Sequence, residues 1–172
     1  MTKINQRKIA IIITIVVVLA IALAVSYLAL PKRAADAAPD ELLGMEKVVV
    51  LEGQGAIEDV RQKHIGAVEN VEDMAIVLYG PAYHQITLWV TLYSSDDIAA
   101  NENKKMADAM IRFGGKWKEN LEEVTIGGKK VYRTTPNGDF HYFWAEREYV
   151  FYVTIPRILQ ESTNEIITAI KA

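Results

Sequence analysis

The stretch HQITLWVTLY, from His84 to Tyr93, decides the fold because it carries the clearest β-strand pattern in the chain. Its residues alternate between an aliphatic set and a polar and aromatic set, as successive side chains of a strand point to opposite faces of a sheet. The aliphatic set is Ile86, Leu88, Val90 and Leu92, and the second set is Thr87, Trp89, Thr91 and Tyr93. We expect the aliphatic face to meet a layer of helices, whereas the aromatic face suits a half-covered surface or a binding surface.

Further strands and helices are predicted on both sides of this strand from hydrophobic periodicity and turn signals. Ser94 is the predicted cap of the helix that follows it, and Pro156 is the predicted first residue of a closing helix. In chain order, the other predictions are a strand at 47–51, a helix at 56–65, a strand at 74–79, a helix at 94–113, four strands at 123–126, 130–134, 139–145 and 149–155, and a helix at 156–172. The last four strands form a predicted antiparallel meander.

A second stretch, IAIIITIVVVLAIALAVSYLAL from Ile9 to Leu30, contains no charged residue. As an α-helix it would be roughly 33 Å long, enough to cross a hydrocarbon core of about 30 Å. The sequence therefore predicts one transmembrane helix and contact with the lipid bilayer through these residues. The predicted fold class is α+β, with this helix followed by a mostly antiparallel sheet packed with about three helices.

The flanking residues predict how the chain is oriented. Lys3, Arg7 and Lys8 favour a cytoplasmic N-terminus under the positive-inside rule. The predicted organisation is a basic cytoplasmic N-terminus at 1–8, a transmembrane helix at 9–30, a short linker at 31–39 and an extracytoplasmic α+β domain at 40–172. The protein is then expected at the plasma membrane as a single-pass signal-anchor protein, and the small residues Ala20 and Ala24 are compatible with a homodimer.

Two other interpretations of the N-terminal stretch remain open. A cleaved signal peptide would use the small residues at 35–37, but its apolar region usually runs about 7–15 residues, and this one is longer. A pilin-like subunit would place the apolar helix inside a filament, but Lys8 leads directly into Ile9 without the small residue that follows the basic pair in pilins. An uncleaved anchor is the preferred interpretation.

The charge distribution excludes nucleic acid as a partner. The chain has 19 basic and 22 acidic residues, and residues 34–172 hold 14 of the basic residues and all of the acidic ones, a formal charge of −8. A domain this acidic repels phosphate backbones. The chain has no cysteine, so disulfides and thiolate chemistry are excluded as well.

The three histidines, His64, His84 and His141, each fall on a different predicted element and show no H-E-x-x-H or H-x-H spacing. Because a zinc site needs two or three such ligands close together, the sequence predicts no metal site. The alternative, a metal- or histidine-dependent hydrolase, requires two of these histidines and a carboxylate to meet in one cleft.

No cofactor is predicted. The order strand, Gly53-x-Gly55, helix resembles the start of a dinucleotide-binding turn, but Glu58 stands where the third glycine is required. A carboxylate at that position would repel a pyrophosphate, so an ordinary glycine-rich turn is the preferred interpretation.

Aromatic residues mark the candidate binding surface. Phe140, Tyr142 and Trp144 share one face of a predicted strand, and Trp89 and Tyr93 share the aromatic face of the strand at 84–93. Tyrosine and tryptophan combine a large apolar body with a polar tip, as interfaces and ligand pockets often require. The alternative is that these side chains fill the core between the sheet and the helices, since aromatics favour strands.

The order of elements, ITLWVTLY followed by the helix after Ser94, and the meander KVYRTTPNGDFHYFWAEREYVFYV resemble archaeal and bacterial extracytoplasmic α+β domains that a single helix anchors in the membrane. The resemblance covers Met45 to Ile155 and adds no catalytic residue. The sequence thus predicts a non-enzymatic module of the cell envelope that binds another envelope protein or a small ligand. The alternatives are the hydrolase and a structural, pilin-like assembly subunit.

Overall fold

The computed structural model describes residues 11–21, 31–63 and 68–172. The chain divides into two compact units, Met1–Lys32 and Arg33–Ala172. In the first unit residues 11–21 are helical, and residues 31–32 have no regular secondary structure. In the second unit the described residues form one eight-stranded antiparallel sheet with four α-helices.

The fold class predicted from the sequence is wrong, because it places a transmembrane helix before the sheet. No helix within 11–21, 31–63 or 68–172 combines the length and the apolar character needed to cross a membrane. The remaining residues of the predicted span, 9–10 and 22–30, lie outside the described residues. The sheet is also packed with four α-helices rather than about three.

The second unit runs through its elements in the following order. The strands are β1 Glu41–Leu42, β2 Met45–Glu52, β3 Val71–Tyr79, β4 Ile86–Tyr93, β5 Glu122–Ile126, β6 Lys129–Thr134, β7 Phe140–Glu146 and β8 Tyr149–Ile155. The α-helices are α1 Gly53–Lys63, α2 Asp96–Phe113, α3 Lys116–Glu119 and α4 Thr163–Ala169, with short 3-10 helices at Ala34–Ala37 and Arg157–Ser162.

The sheet has the strand order β1-β2-β3-β4-β8-β7-β6-β5, so the last four strands form a meander that joins the first four where β8 pairs with β4. The register places one set of side chains on what we call the first face, namely Val77, Leu88, Val153 and Tyr142 on successive strands. Their neighbours, Ile76, Trp89, Tyr152 and Phe143, lie on the second face.

The first face carries the main core. Its aliphatic and aromatic side chains pack against α4 and against the segment that contains Ala34, Ala35 and Ala38. Ile166 and Ile167 of α4 are fully buried there. The aliphatic face of β4 therefore meets a helix, together with residues of the segment 31–39, which the sequence predicts to be a linker.

Polar contacts hold that N-terminal segment on the sheet. The backbone N–H of Ala34 donates to a carboxylate oxygen of Asp73 at 2.7 Å, and the hydroxyl of Tyr79 donates to the carbonyl of Pro39 at 2.7 Å. Both Ala34 and Tyr79 are fully buried. Such partners are needed because a buried backbone N–H without an acceptor is costly.

Helices α1 and α2 cover much of the second face. Val60 of α1 packs on Met74 and Ile76, whereas Met110 of α2 packs on Phe143. Helix α2 begins after Ser95, whose hydroxyl accepts a hydrogen bond from the Ile98 N–H at 3.3 Å, so Ser95 rather than the predicted Ser94 is the cap. The two helices leave a gap between them, and this gap positions the candidate site.

Candidate functional site: a cleft between α1 and α2

The five residues predicted to form a binding surface divide between the two faces of the sheet. Phe140, Tyr142 and Trp144 lie on the first face and are buried in the main core, where Trp144 is 1% exposed. Trp89 and Tyr93 lie on the second face, where Trp89 stays half-buried. The structure therefore separates the predicted surface into these two groups, and Trp89 and Tyr93 form the group on the second face.

Trp89 and Tyr93 line a cleft of about 160 Å³ on the second face. The sheet supplies its floor, with Met74, Trp89, Thr91, Tyr93, Val150 and Tyr152. Helix α2 supplies one wall, with Glu102, Lys105, Met106 and Ala109, and Val60, Val68 and Glu69 complete the rim. The lining thus combines an aromatic floor with one basic and two acidic side chains.

The aromatic floor is preformed. The rings of Trp89 and Tyr152 lie 5.2 Å apart between centroids, tilted by 30°, on the neighbouring strands β4 and β8. Antiparallel pairing fixes this spacing, because Trp89 and Tyr152 stand directly opposite each other in the register. A planar apolar group that enters the cleft would meet ring surface without a rearrangement of the backbone.

The wall of the cleft contains a buried carboxylate. Glu102 is only 8% exposed, and its Oε1 accepts hydrogen bonds from Nδ2 of Asn70 at 3.1 Å and from Nζ of Lys105 at 2.7 Å. Asn70 adopts a left-handed backbone conformation, φ 57°, which asparagine tolerates better than most residues. Burial, with the negative charge of Glu102, raises the pKa of Tyr93, so this phenol stays protonated.

His141 stands behind the cleft and holds Tyr152. Its Nδ1 lies 2.8 Å from the Tyr152 hydroxyl and 3.1 Å from the Thr154 hydroxyl, and its ring meets the Trp117 ring edge-on at 4.9 Å. Burial lowers the pKa of His141, against a smaller opposing effect of Asp139. The neutral imidazole therefore fits this position, where it fixes one ring of the floor.

The lowered pKa of His141 predicts a loss of stability in acid. Between its ordinary value of 6.5 and its lower folded value, the unfolded chain binds a proton that the folded state does not, so the free energy of unfolding falls as the pH falls. The slope from this residue is at most about 1.4 kcal/mol per pH unit. We expect His141→Gln to lose less stability than the original protein between about pH 7.5 and about pH 5.5 in urea unfolding. Equal losses in the two proteins would contradict this assignment.

The histidines do not form a metal site in the described part of the chain. Within it, no group of three or more histidine, cysteine, aspartate or glutamate side chains is placed to hold a metal ion. His84 lies next to Tyr83, with the two rings 4.5 Å apart, and His64 lies outside the described residues.

The charged wall of the cleft was not predicted from the sequence. Glu102 stands four residues after Ile98 and four before Met106, on the face of α2 that packs towards the sheet. A charged residue at a core-facing position of an amphipathic helix was the signal that could have found it.

Comparisons of the chain with protein-family models, with curated proteins and with solved structures gave no match. The geometry of the cleft is therefore the basis on which a function can be assigned.

Proposed function

We propose that the unit at Arg33–Ala172 is a non-enzymatic binding module whose cleft accepts one small, mainly apolar group. The observation that carries this proposal is the preformed floor of Trp89 and Tyr152 beneath a cavity that opens between two helices. The location of the module in the cell envelope stays a prediction from the sequence.

The size of the cleft supports a small ligand. Pockets for drug-sized molecules or cofactors are about 300–1,000 Å³, whereas a cavity of about 150 Å³ holds a benzene molecule. At about 160 Å³ this cleft matches a single ring or one side chain of a partner. A nucleotide or another extended cofactor would have to project out of the cleft.

The chemistry of the lining supports binding rather than catalysis. Burial raises the pKa values of Tyr93 and Tyr152, so both phenols stay protonated and are poor bases. Glu102 and Lys105 are engaged with each other at 2.7 Å. Protonated phenols, a paired acid and an aromatic floor are the features of a site that recognises shape and polarity.

The proposal is tested by a substitution that fills the cleft. Ala109→Leu places a larger side chain in the wall of the cleft. The helix should tolerate the change, since alanine and leucine both favour helices. With benzyl alcohol as a neutral probe, followed by amide chemical shifts in two-dimensional NMR, we expect shifts around Thr91 and Val150 in the original protein. We expect binding at least about tenfold weaker in Ala109→Leu.

The matched control is Ala100→Leu, which makes the same change at an exposed position of α2 outside the lining. This variant should bind benzyl alcohol as the original protein does. Equal binding by Ala109→Leu, or shifts confined to other parts of the sheet, would refute the assignment of the cleft.

A further inference from the structure

Glu102 differs from every other carboxylate in the described residues, because it alone is classed among the buried side chains. Taking a carboxylate out of water is unfavourable unless its oxygens find charged or hydrogen-bonding partners. A buried acid in the wall of an open cleft therefore needs an explanation beyond packing.

The partners of Glu102 leave half of the carboxylate unused. Both of its hydrogen bonds, from Asn70 and Lys105, end on Oε1, and Oε2 accepts none within the described residues. A carboxylate has acceptor capacity on both oxygens. The cleft therefore offers a ligand an acceptor that the folded chain has not filled.

Lys105 is a replaceable partner. Its side chain is about half exposed at 51%, whereas the side chain of Glu102 is 7% exposed, so Lys105 can return to water at little cost while Glu102 cannot. The ammonium group of Lys105 thus occupies a position beside Glu102 that the cation of a ligand can take instead.

The rest of the lining favours a cation as well. The faces of aromatic rings attract ammonium groups, and Trp89, Tyr93 and Tyr152 all contribute to the floor. Glu69 adds a second negative charge at the rim, so the cleft stays negative with Lys105 in place. A carboxylate ligand would instead face two acids.

We infer that the cleft binds a small organic ammonium group, whose charged nitrogen replaces Lys105 at Oε1 of Glu102 and also donates to the open Oε2, and whose apolar body lies against Trp89 and Tyr152. This inference rests on the proposed function and names the class of ligand. The ammonium can belong to a free amine or to a lysine side chain of a polypeptide, since both present the same chemistry.

The experiment compares benzylamine with benzyl alcohol, which have nearly the same shape but differ in charge. By NMR titration of the full chain we expect benzylamine to bind at least about tenfold more tightly than benzyl alcohol. In Glu102→Gln this preference should disappear, because the charged acceptor is lost. A second pair of probes, benzylamine and Nα-acetyl-lysine amide, distinguishes a free aromatic amine from a lysine side chain.

Lys105→Met should change the preference for benzylamine in the opposite direction to Glu102→Gln. It removes the internal competitor and leaves Glu102 in place, so the preference for benzylamine should rise by about threefold or more. The control, Lys104→Met, makes the same change of net charge at an exposed lysine of α2 that pairs with Asp108. This control should leave the preference unchanged.

The two proposals fail differently. If benzyl alcohol binds in the cleft and benzylamine binds no better, the ammonium assignment is overturned and the binding module stands. If neither probe binds, both proposals are overturned. If Glu102→Gln does not fold, the comparison of Lys105→Met with Lys104→Met decides, and equal preferences in these two variants overturn the ammonium assignment.

Discussion

Replacing Trp144 with alanine is expected to lower the free energy of unfolding by about 3–5 kcal/mol. The side chain is 1% exposed, stacks on Phe151 at 5.2 Å between ring centroids and lies in the main core of the first face. Removing it deletes a large buried apolar surface and leaves a cavity that a regular sheet closes only in part. Unfolding in guanidinium chloride, followed by circular dichroism, measures the loss.

Phe113→Ala is the matched control for this prediction, because Phe113 is also aromatic but is 74% exposed near the end of α2. We expect its free energy of unfolding to change by no more than about 0.5 kcal/mol. If Trp144→Ala proved as stable as Phe113→Ala, the burial of β7 in the core would be wrong. The interpretation of Trp144 as a contact residue would then regain support.

The sequence could not distinguish these two roles for Trp144, because β7 is buried on both faces. Phe140, Tyr142 and Trp144 face the main core, while His141 and Phe143 lie under the second layer of helices. Alternation identifies which side chains share a face, but it does not identify which face is covered when both sets are large and aromatic.

At the exposed edge of the sheet, by contrast, an apolar stretch of sequence is not buried. Residues 48–50 are three consecutive valines, a run that predicts a strand, and they do lie in β2. All three are nevertheless exposed. Among the described residues, β2 pairs beyond its first two residues only with β3, and a bulge interrupts that pairing between Val49 and Leu51. Position within the sheet, which depends on residues far along the chain, decides burial here.

The meander after α2 was predictable, because its turns are marked locally. Gly127 and Gly128 have positive φ angles between β5 and β6, and Gly138 does so between β6 and β7. Helix α3 was not predicted, and the predicted closing helix at 156–172 is instead a 3-10 helix, Arg157–Ser162, followed by the shorter α4. The cleft was not predictable, because its walls come from α1, α2 and three strands. Glu102 and Trp89 are close only in the folded chain.

The alanine-rich segment before β1 shows that composition alone does not predict whether a segment is buried. Between Pro31 and Pro39 the chain has no large apolar side chain, which is typical of a linker. Alanine, however, lets a backbone approach a sheet closely, and Ala34, Ala35 and Ala38 are buried in the main core. The composition of a segment thus does not reveal burial when the fit depends on small side chains.

Replacing Ala34 with glutamate is accordingly expected to lower the free energy of unfolding by about 3 kcal/mol or more. Ala34 is fully buried, and its N–H donates to the Asp73 carboxylate at 2.7 Å. A glutamate at this position would have to place a second carboxylate beside Asp73 or pull the segment off the sheet, and either outcome is costly. Denaturant unfolding of the full chain measures the change.

Ala100→Glu is the control, since it makes the same substitution at an exposed position of α2. It should change stability by no more than about 0.5 kcal/mol. A further check separates the two causes of the loss: in Asp73→Asn the like charge is removed, so Ala34→Glu should cost less in that background than in the original protein. Equal stability of Ala34→Glu and Ala100→Glu would mean that residues 34–38 do not pack on the sheet, and the boundary of the folded unit would then move towards β1.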